Sequence, residues 1–549
     1  MRDTLAPVEP IEAFEPPLRR ALLRVYRVFA GPTIEPSYHL TRTLLLRSLG
    51  LVYLVAFLVA TQQLVPLLGE TGLTPIAPFL ERVAESHPSR REAMGQLPSL
   101  FWFDASDTAL TFVAWAGTLV AALVVLGLEH GAAWLLLWVL YFSIVAVGQR
   151  WYAFGWESQL LETGFIALFW APWGLRWRVR GSESEPDPSP PSQVPLWLYR
   201  WLIVRIMLGA GLIKLRGDPC WTELSCLDYH FETQPIPGPL SPYFHALPKS
   251  LLAAGVAFNH LAELVLPFFV FGPRRARHVA GALILAFQVT LILSGNLAFL
   301  NWLTIVPALA CFDDQLLERL VPARFRARLA ARVEQPRAPP KTLTRAFNYG
   351  FAAVVVWLSL PVVANLLGRS QAMNRSYDRF HLVNTYGAFG SVGDARLELI
   401  IEGSASPDPD APSAVWQPYE FECKPGALDR RPCLITPYHL RLDWLAWFAA
   451  LDVQYNGRLQ REDWVLHLVY KLLDGDPAAR ELLDEDRSPF ADAPPQWIRI
   501  EVYRYELAPP RWGGPGPVWT REFVGELIPP IAADDPRLRA HLERRGWLN

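Results

Sequence analysis

Apolar stretches separated by short polar or basic segments dominate the first two thirds of the chain. They run Leu44–Leu68, Ala109–Leu128, Ala132–Gly148, Gln159–Leu175, Leu196–Leu215, Leu251–Phe271, Val279–Ser294, Leu297–Phe312 and Gly350–Leu367. A helix needs about 20 apolar residues to cross a hydrocarbon core of roughly 30 Å. The pattern therefore predicts a polytopic bundle of about nine spans, several of them near the lower length limit. The pair flanking Gly295–Asn296 has a second reading, a re-entrant hairpin, which leaves the parity of crossings unchanged. The first 17 residues are Pro-rich and acidic with no apolar centre, so the first long run is expected to serve as an uncleaved anchor.

After Gly368 the period changes. Arg396–Glu402 and Trp497–Leu507 alternate as strands do, and the second slips phase between Val502 and Tyr503, which predicts a bulge. Phe380–Thr385, Tyr419–Cys423 and Trp519–Val524 are further strand candidates. Trp464–Leu473 has helical spacing. Asp476–Pro477 reads as a cap followed by proline at the first helical position, opening a helix to about Leu483. Pro407–Pro418 reads as a loop. The expected organisation is a cytoplasmic N-terminal segment (1–43), a transmembrane helical domain (44–368) with an Arg- and Pro-rich linker (Val321–Pro340) before its last span, and a soluble α+β domain with a mostly antiparallel sheet (369–549).

Charge orients this plan. Basic clusters precede span one (Arg19, Arg20, Arg24, Arg27, Arg42) and follow spans four (Arg176, Arg178, Arg180), six (Arg274, Arg275, Arg277) and eight (Arg319, Arg324, Arg326, Arg328, Arg332). All fall on one side of a nine-span arrangement, whereas the loop Gly217–Pro248 on the other side is acidic. Positive segments stay cytoplasmic, so the N-terminus is expected inside and the C-terminal domain outside. The five cysteines agree: Cys220, Cys226, Cys423 and Cys433 fall outside, where disulfides persist, and Cys311 lies alone near the inner end of span eight. A zinc site is the rival reading, but no C-x-x-C and no paired histidine spacing accompanies these cysteines. The 22 tryptophans suit many membrane interfaces. A net charge of −2 gives no reason to expect nucleic acid as a partner.

Catalytic signatures such as a nucleophile elbow, a phosphate-binding loop or a zincin motif are absent, and neither a metal nor a cofactor is expected. Polar residues inside the apolar runs carry the interest, because they are costly there and usually paired or functional. Span four opens with Glu157, Gln159 and Glu162, and span six holds Asn259, His260 and Glu263. Span five carries Arg205 and Lys214, nine residues apart and so on roughly opposite faces of a helix. Lys214 reads either as an interfacial anchor or as a buried functional amine, and Gly209-Ala210-Gly211 beside it permits close helix approach, which favours burial. Glu162, His260 and Glu263 read either as interhelical hydrogen bonding or, with Lys214, as a site for a polar ligand or for proton transfer.

Several stretches resemble the lipase maturation factor family: Gln159-Leu-Leu-Glu-Thr-Gly-Phe165, Lys214-Leu-Arg-Gly-Asp-Pro-Cys-Trp221, Cys226-Leu-Asp-Tyr-His-Phe-Glu-Thr-Gln-Pro235, Asn384-Thr-Tyr-Gly-Ala-Phe389, Tyr419-Glu-Phe-Glu-Cys-Lys-Pro425 with Arg430-Arg-Pro-Cys433, and His439-Leu-Arg-Leu-Asp-Trp-Leu-Ala-Trp-Phe448. The resemblance runs from about Leu40 to the end. It implies a membrane protein that helps secreted lipases fold, with the outer domain meeting the client. Asn384, Tyr386, Phe389, Tyr438, Trp444 and Trp447 are then client-binding candidates, a domain core being the alternative role for these aromatics. Gly209-Ala-Gly-Leu-Ile-Lys-Leu215 and His260-Leu-Ala-Glu-Leu-Val-Leu-Pro267 are also similar to the helical module of vitamin K-dependent γ-carboxylases, in which a lysine at the position of Lys214 is a catalytic base. The expected function is a membrane-anchored maturation factor for secreted proteins, lipases by resemblance. The alternative is a membrane enzyme with Lys214 as base on a lipid-soluble or lumenal substrate, which requires a polar cavity between spans four, five and six. A transporter is disfavoured by the lack of an inverted repeat. The expected partners are the lipid bilayer and a secreted client. The expected location is a bacterial inner membrane, or the endoplasmic reticulum membrane in a eukaryote.

Overall fold

The computed structural model describes residues 36–173, 176–177, 191–320, 342–487, 489–490, 492–510 and 516–548. The basic residues before Ser37, Arg178, Arg180, the linker Val321–Pro340 and the end of the fourth apolar run at Leu175 lie outside these.

Apolar character built the helices where expected. They are α1 (His39–Leu68), α2 (Asp107–Leu126), α3 (Gly131–Val147), α4 (Gly155–Trp170), α5 (Gln193–Arg216), α6 (Lys249–Phe269), α7 (Arg274–Ser294), α8 (Leu300–Ala308, continued by a 3₁₀ turn to Cys311) and α9 (Thr342–Leu367). Length and composition do not confirm all nine crossings. Among the described residues, six helices (α1, α2, α5, α6, α7 and α9) are long and apolar enough to cross a membrane. At about 1.5 Å per residue, α3 (17 residues), α4 (16 residues) and α8 fall short of the hydrocarbon thickness. The C-terminal domain contacts α4 and α8 directly, Arg441 donating to Glu157 and Trp302 donating to Thr436.

The N-terminus of α1 receives a tertiary cap. The carboxylate of Asp314, beyond α8, accepts from the backbone N–H groups of His39, Leu40 and Thr41 at 2.7, 2.9 and 3.2 Å, which satisfies orphan donors and suits the helix dipole. Beside it Asp313 binds Arg274 and His278, and Arg200 and Arg277 donate to the carbonyls of Ala310 and Cys311. This end of the bundle thus gathers the starts of α1, α5 and α7. Small residues allow tight packing. A Cβ at Gly117 would sit 2.2 Å from the Phe57 ring, so α1 and α2 touch backbone to side chain. The outward faces remain apolar, with Phe112, Trp115 and Leu119 on α2 and Val356, Trp357 and Leu360 on α9 exposed, as a lipid-facing surface requires.

The C-terminal domain is α+β. Its sheet is antiparallel and four-stranded, in the order β2-β1-β3-β4, formed by β1 (Arg396–Ser404), β2 (Gln417–Pro418), β3 (Trp497–Leu507) and β4 (Trp519–Ile531). The β3–β4 register shifts between Val502 and Tyr503, at the predicted bulge. Phe380–Thr385 and Tyr419–Cys423 are not strands. The first makes one isolated bridge, Ser376 to Asn384, and the second hydrogen-bonds to β1 only through Tyr419 N–H, because the backbone N–H groups of Asn384 and Cys423 are donated instead to the carboxylates of Glu162 and Asp443. Asp476 caps as expected, but its helix is only Pro477–Arg480. α10 (Arg441–Asn456) is a helix that periodicity did not reveal, being buried on most of its circumference. α11 (Trp464–Asp474) fits its prediction.

The two cysteine pairs form disulfides, Cys220–Cys226 and Cys423–Cys433, and Cys311 is a buried free thiol. Denatured, unreduced protein is therefore expected to take up one thiol-alkylating group per chain, rising to five after reduction. Mass spectrometry of alkylated protein checks this, and uptake above one before reduction overturns the pairing.

Candidate functional site

The ionisable residues singled out in the helices separate into two sites. Glu162 of α4 faces Arg205 of α5, both about 1% exposed, with Arg205 Nη2 donating to Glu162 Oε1. The other carboxylate oxygen accepts from the backbone N–H of Asn384 (3.0 Å), its side-chain amide (3.0 Å) and the Tyr386 hydroxyl (2.7 Å), while Arg205 Nη1 donates to the Asn384 carbonyl at 2.9 Å. A carboxylate paired and hydrogen-bonded in this way holds the chain 384–386 against the bundle. Glu157, one turn earlier, does the same for α10. Arg441 Nη1 donates to Glu157 Oε1 at 2.9 Å, and Tyr141 donates to the other oxygen.

Lys214 and Glu263 form the second site. Lys214 Nζ donates to both oxygens of Glu263 (2.6 and 2.7 Å) and to Asn259 Oδ1 (3.2 Å), Asn259 Nδ2 donates to Glu263 Oε2 (2.9 Å), and the Trp221 ring lies 4.9 Å from the ammonium. Two local features bring these groups together. Leu261–Val265 forms a single π-helical turn ahead of Pro267, which cannot donate to a helical ladder, and Glu263 sits in that turn. On α5, a Cβ at Gly211 would lie 2.6 Å from Leu264 and 2.9 Å from Glu263, so only glycine lets α6 come this close. The amine is thus buried and paired, which excludes the interfacial-anchor reading. His260 does not join the site. Its Nε2 lies 2.9 Å from the Trp221 carbonyl.

Lys214, Asn259 and Glu263 line a cavity of about 720 Å³ bounded by α4 to α8 and roofed by α10. Glu162 and His260 are not in its wall. Gln159, Gln288 and Asn301 add polar groups, but the lining is mainly apolar. Among the described residues no group of three or more His, Cys, Asp or Glu is placed to hold a metal ion.

The aromatic and polar residues considered for client binding sit between the two halves. Asn384, Tyr386 and Trp444 are buried, and Phe389, Tyr438 and Trp447 are half-buried. Tyr438 accepts from Gln63 of α1, Trp447 Nε1 donates to the Thr233 carbonyl, and Trp444 stacks edge-on against Trp156 of α4. Tyr386, Phe389, Trp444 and Trp447 also line the cavity. Residues with no earlier signal complete the joint. Asn296, fully buried at the turn after α7, accepts from the Ile435 and Thr436 N–H groups and donates to the Cys433 carbonyl, and Arg396 donates to the carbonyls of Glu232, Gln234 and Pro235.

A multi-pass helical membrane domain, locked by buried ion pairs to a disulfide-bonded α+β domain, defines the class of this protein. Residues 40–319 match the lipase maturation factor transmembrane domain, and residues 382–529 match the lipase maturation factor C-terminal domain. Lipase maturation factor 1 of Homo sapiens is 44% identical over 94% of this chain and 93% of its own length, and that of Mus musculus is 45% identical over 93% and 90%. Lipase maturation factor 2 of Homo sapiens is 29% identical over 92% and 85%. The chain belongs to the lipase maturation factor family. No solved structure matches it.

Two measurements check the geometry. Breaking a buried pair by removing one partner costs about 3–5 kcal/mol, whereas replacing both by apolar groups is often neutral. Arg441→Ala is expected to lower the thermal midpoint of detergent-solubilised protein sharply, and Glu157→Leu with Arg441→Met to recover most of the loss. The second measurement concerns pH. Burial, then Lys214, lowers His230 to about 4, burial, then Arg441, holds His439 well below the ordinary range, and burial lowers His467 to about 4. An unfolded histidine titrates near 6.5, so between about pH 6.5 and 4 the unfolded chain binds more protons. Stability is expected to be flat above pH 7 and to fall as pH drops through 6.5, read as the thermal midpoint against pH.

Proposed function

We propose that this chain is a membrane-anchored maturation factor for secreted lipases, with its C-terminal domain on the lumenal or periplasmic side, where it holds the immature client. The observation that carries this reading is the match to lipase maturation factors through both halves of the chain. The side assignment is supported by the two disulfides, which persist in oxidising compartments, and by basic segments reserved for the opposite face. The membrane, either a bacterial inner membrane or that of the endoplasmic reticulum, follows from the host.

The outer domain offers a surface of the right kind. β4 is an edge strand of 13 residues, paired on one side with β3 only, and Phe523 and Val524 are about half exposed on it. An unpaired edge accepts an extended segment of another chain through main-chain hydrogen bonds, and an unfinished secreted enzyme exposes such segments. The six residues at the joint contribute by fixing how this domain stands on the bundle. The enzyme alternative is not favoured, since Lys214 is ion-paired and the relatives named are maturation factors.

The test is the specific activity of a secreted lipase from cells lacking their own family members. Expressing this chain is expected to raise that activity severalfold without changing lipase mRNA. Phe523→Lys with Val524→Lys is expected to lose most of the gain at equal membrane abundance. No gain from the unaltered chain overturns the lipase reading, and full activity of the double variant removes the edge from it.

A further inference from the structure

The cavity beside Lys214 is open to the surface, with exposed Leu247, Leu251, Thr290 and Tyr455 among its lining residues. Ligand pockets run from about 300 to 1,000 Å³ with mostly apolar walls and a few placed polar groups. At about 720 Å³ this one falls inside that range. Its apolar wall comes from helices at membrane depth, including Met207 and Ala210 of α5, Phe258 of α6 and Phe287 of α7. Two lining residues, Leu251 near the start of α6 and Thr290 toward the end of α7, are exposed, so the cavity opens to the surface beside these two helices. The charges in the wall cancel. Lys214 pairs with Glu263, and Arg150 pairs with Glu462. A buried ion pair bordering an apolar void adds no packing and little stability, yet it offers polar atoms to a head group without attracting a net charge.

We propose that this cavity binds one membrane-derived, uncharged long-chain lipid, its chain against α5, α6 and α7 and its hydroxyl or carbonyl head at the Lys214–Glu263–Asn259 cluster, entering between α6 and α7. This goes beyond the maturation role and does not depend on it, because the binding is read without any lipase. The lipid sits beneath α10, so its occupancy couples the bilayer to the outer domain.

The experiment uses the full chain in nanodiscs of phosphatidylcholine that contain a tail-diazirine monoacylglycerol. After irradiation, mass spectrometry maps the labelled peptides. Label is expected at residues 206–214, 251–263 and 287–291, and a tenfold excess of unlabelled monoacylglycerol is expected to reduce it at least fivefold, while an equal excess of fatty acid anion reduces it much less. Ala210→Phe, which fills the void, is expected to abolish the cavity label and spare label on the outward face of α9. Label confined to outward faces, or not displaced by excess monoacylglycerol, overturns the site in the unaltered protein whether or not the variant folds. Equal displacement by the fatty acid anion overturns the uncharged head group.

Discussion

The carboxylate of Glu162 sets the terms for the whole molecule. A charge at membrane depth is tolerated only when it is paired and hydrogen-bonded, and this one takes Arg205 from the neighbouring helix and Asn384 and Tyr386 from the segment beyond the last span. Glu157 repeats the arrangement one turn away with Arg441. The bundle alone therefore does not complete the partners of Glu162 and Glu157. It needs the C-terminal domain seated on it, and that domain needs the bundle for Arg441, which is fully buried.

Seating the domain in this way explains other features. The helices too short to cross alone, α3, α4 and α8, are those near which the outer domain presses, through the loop at Arg150–Tyr152 and the turn at Asn296. The Cys423–Cys433 disulfide closes the loop that leads into the segment 433–436, whose backbone grips Asn296. The roof of the cavity is α10, whose Trp444 and Trp447 serve at once as domain core and as cavity wall.

Lys214 obeys the same rule with a different result. Its partner, Glu263, comes from a π-helical turn rather than from the outer domain, and the pair borders a void instead of packed side chains. Close approach at Gly211 brings α6 to the amine, and the larger residues around Met207 and Phe258 do not close the space behind it. The middle of α5 thus locks the architecture at Arg205, while its C-terminal end, at Lys214, leaves room for a ligand.

What the sequence determined by itself was whatever depends on local composition. Apolar length marked the helices, alternation marked β1 and β3 with the bulge at Val502–Tyr503, and compartment logic paired Cys220 with Cys226 and Cys423 with Cys433. The placement of Arg205 and Lys214 nine residues apart already separated them onto two faces, as the structure bears out. What only the tertiary structure decided was which charges meet. Glu162 and Glu263 look equivalent along the chain, yet one joins Arg205 and the outer domain and the other joins Lys214 at a cavity, because pairing across distant segments leaves no periodic trace. For the same reason α10 escaped notice. A helix buried nearly all round has no polar stripe, and the partners that bury it, Glu157 and Gln63 among them, lie hundreds of residues away.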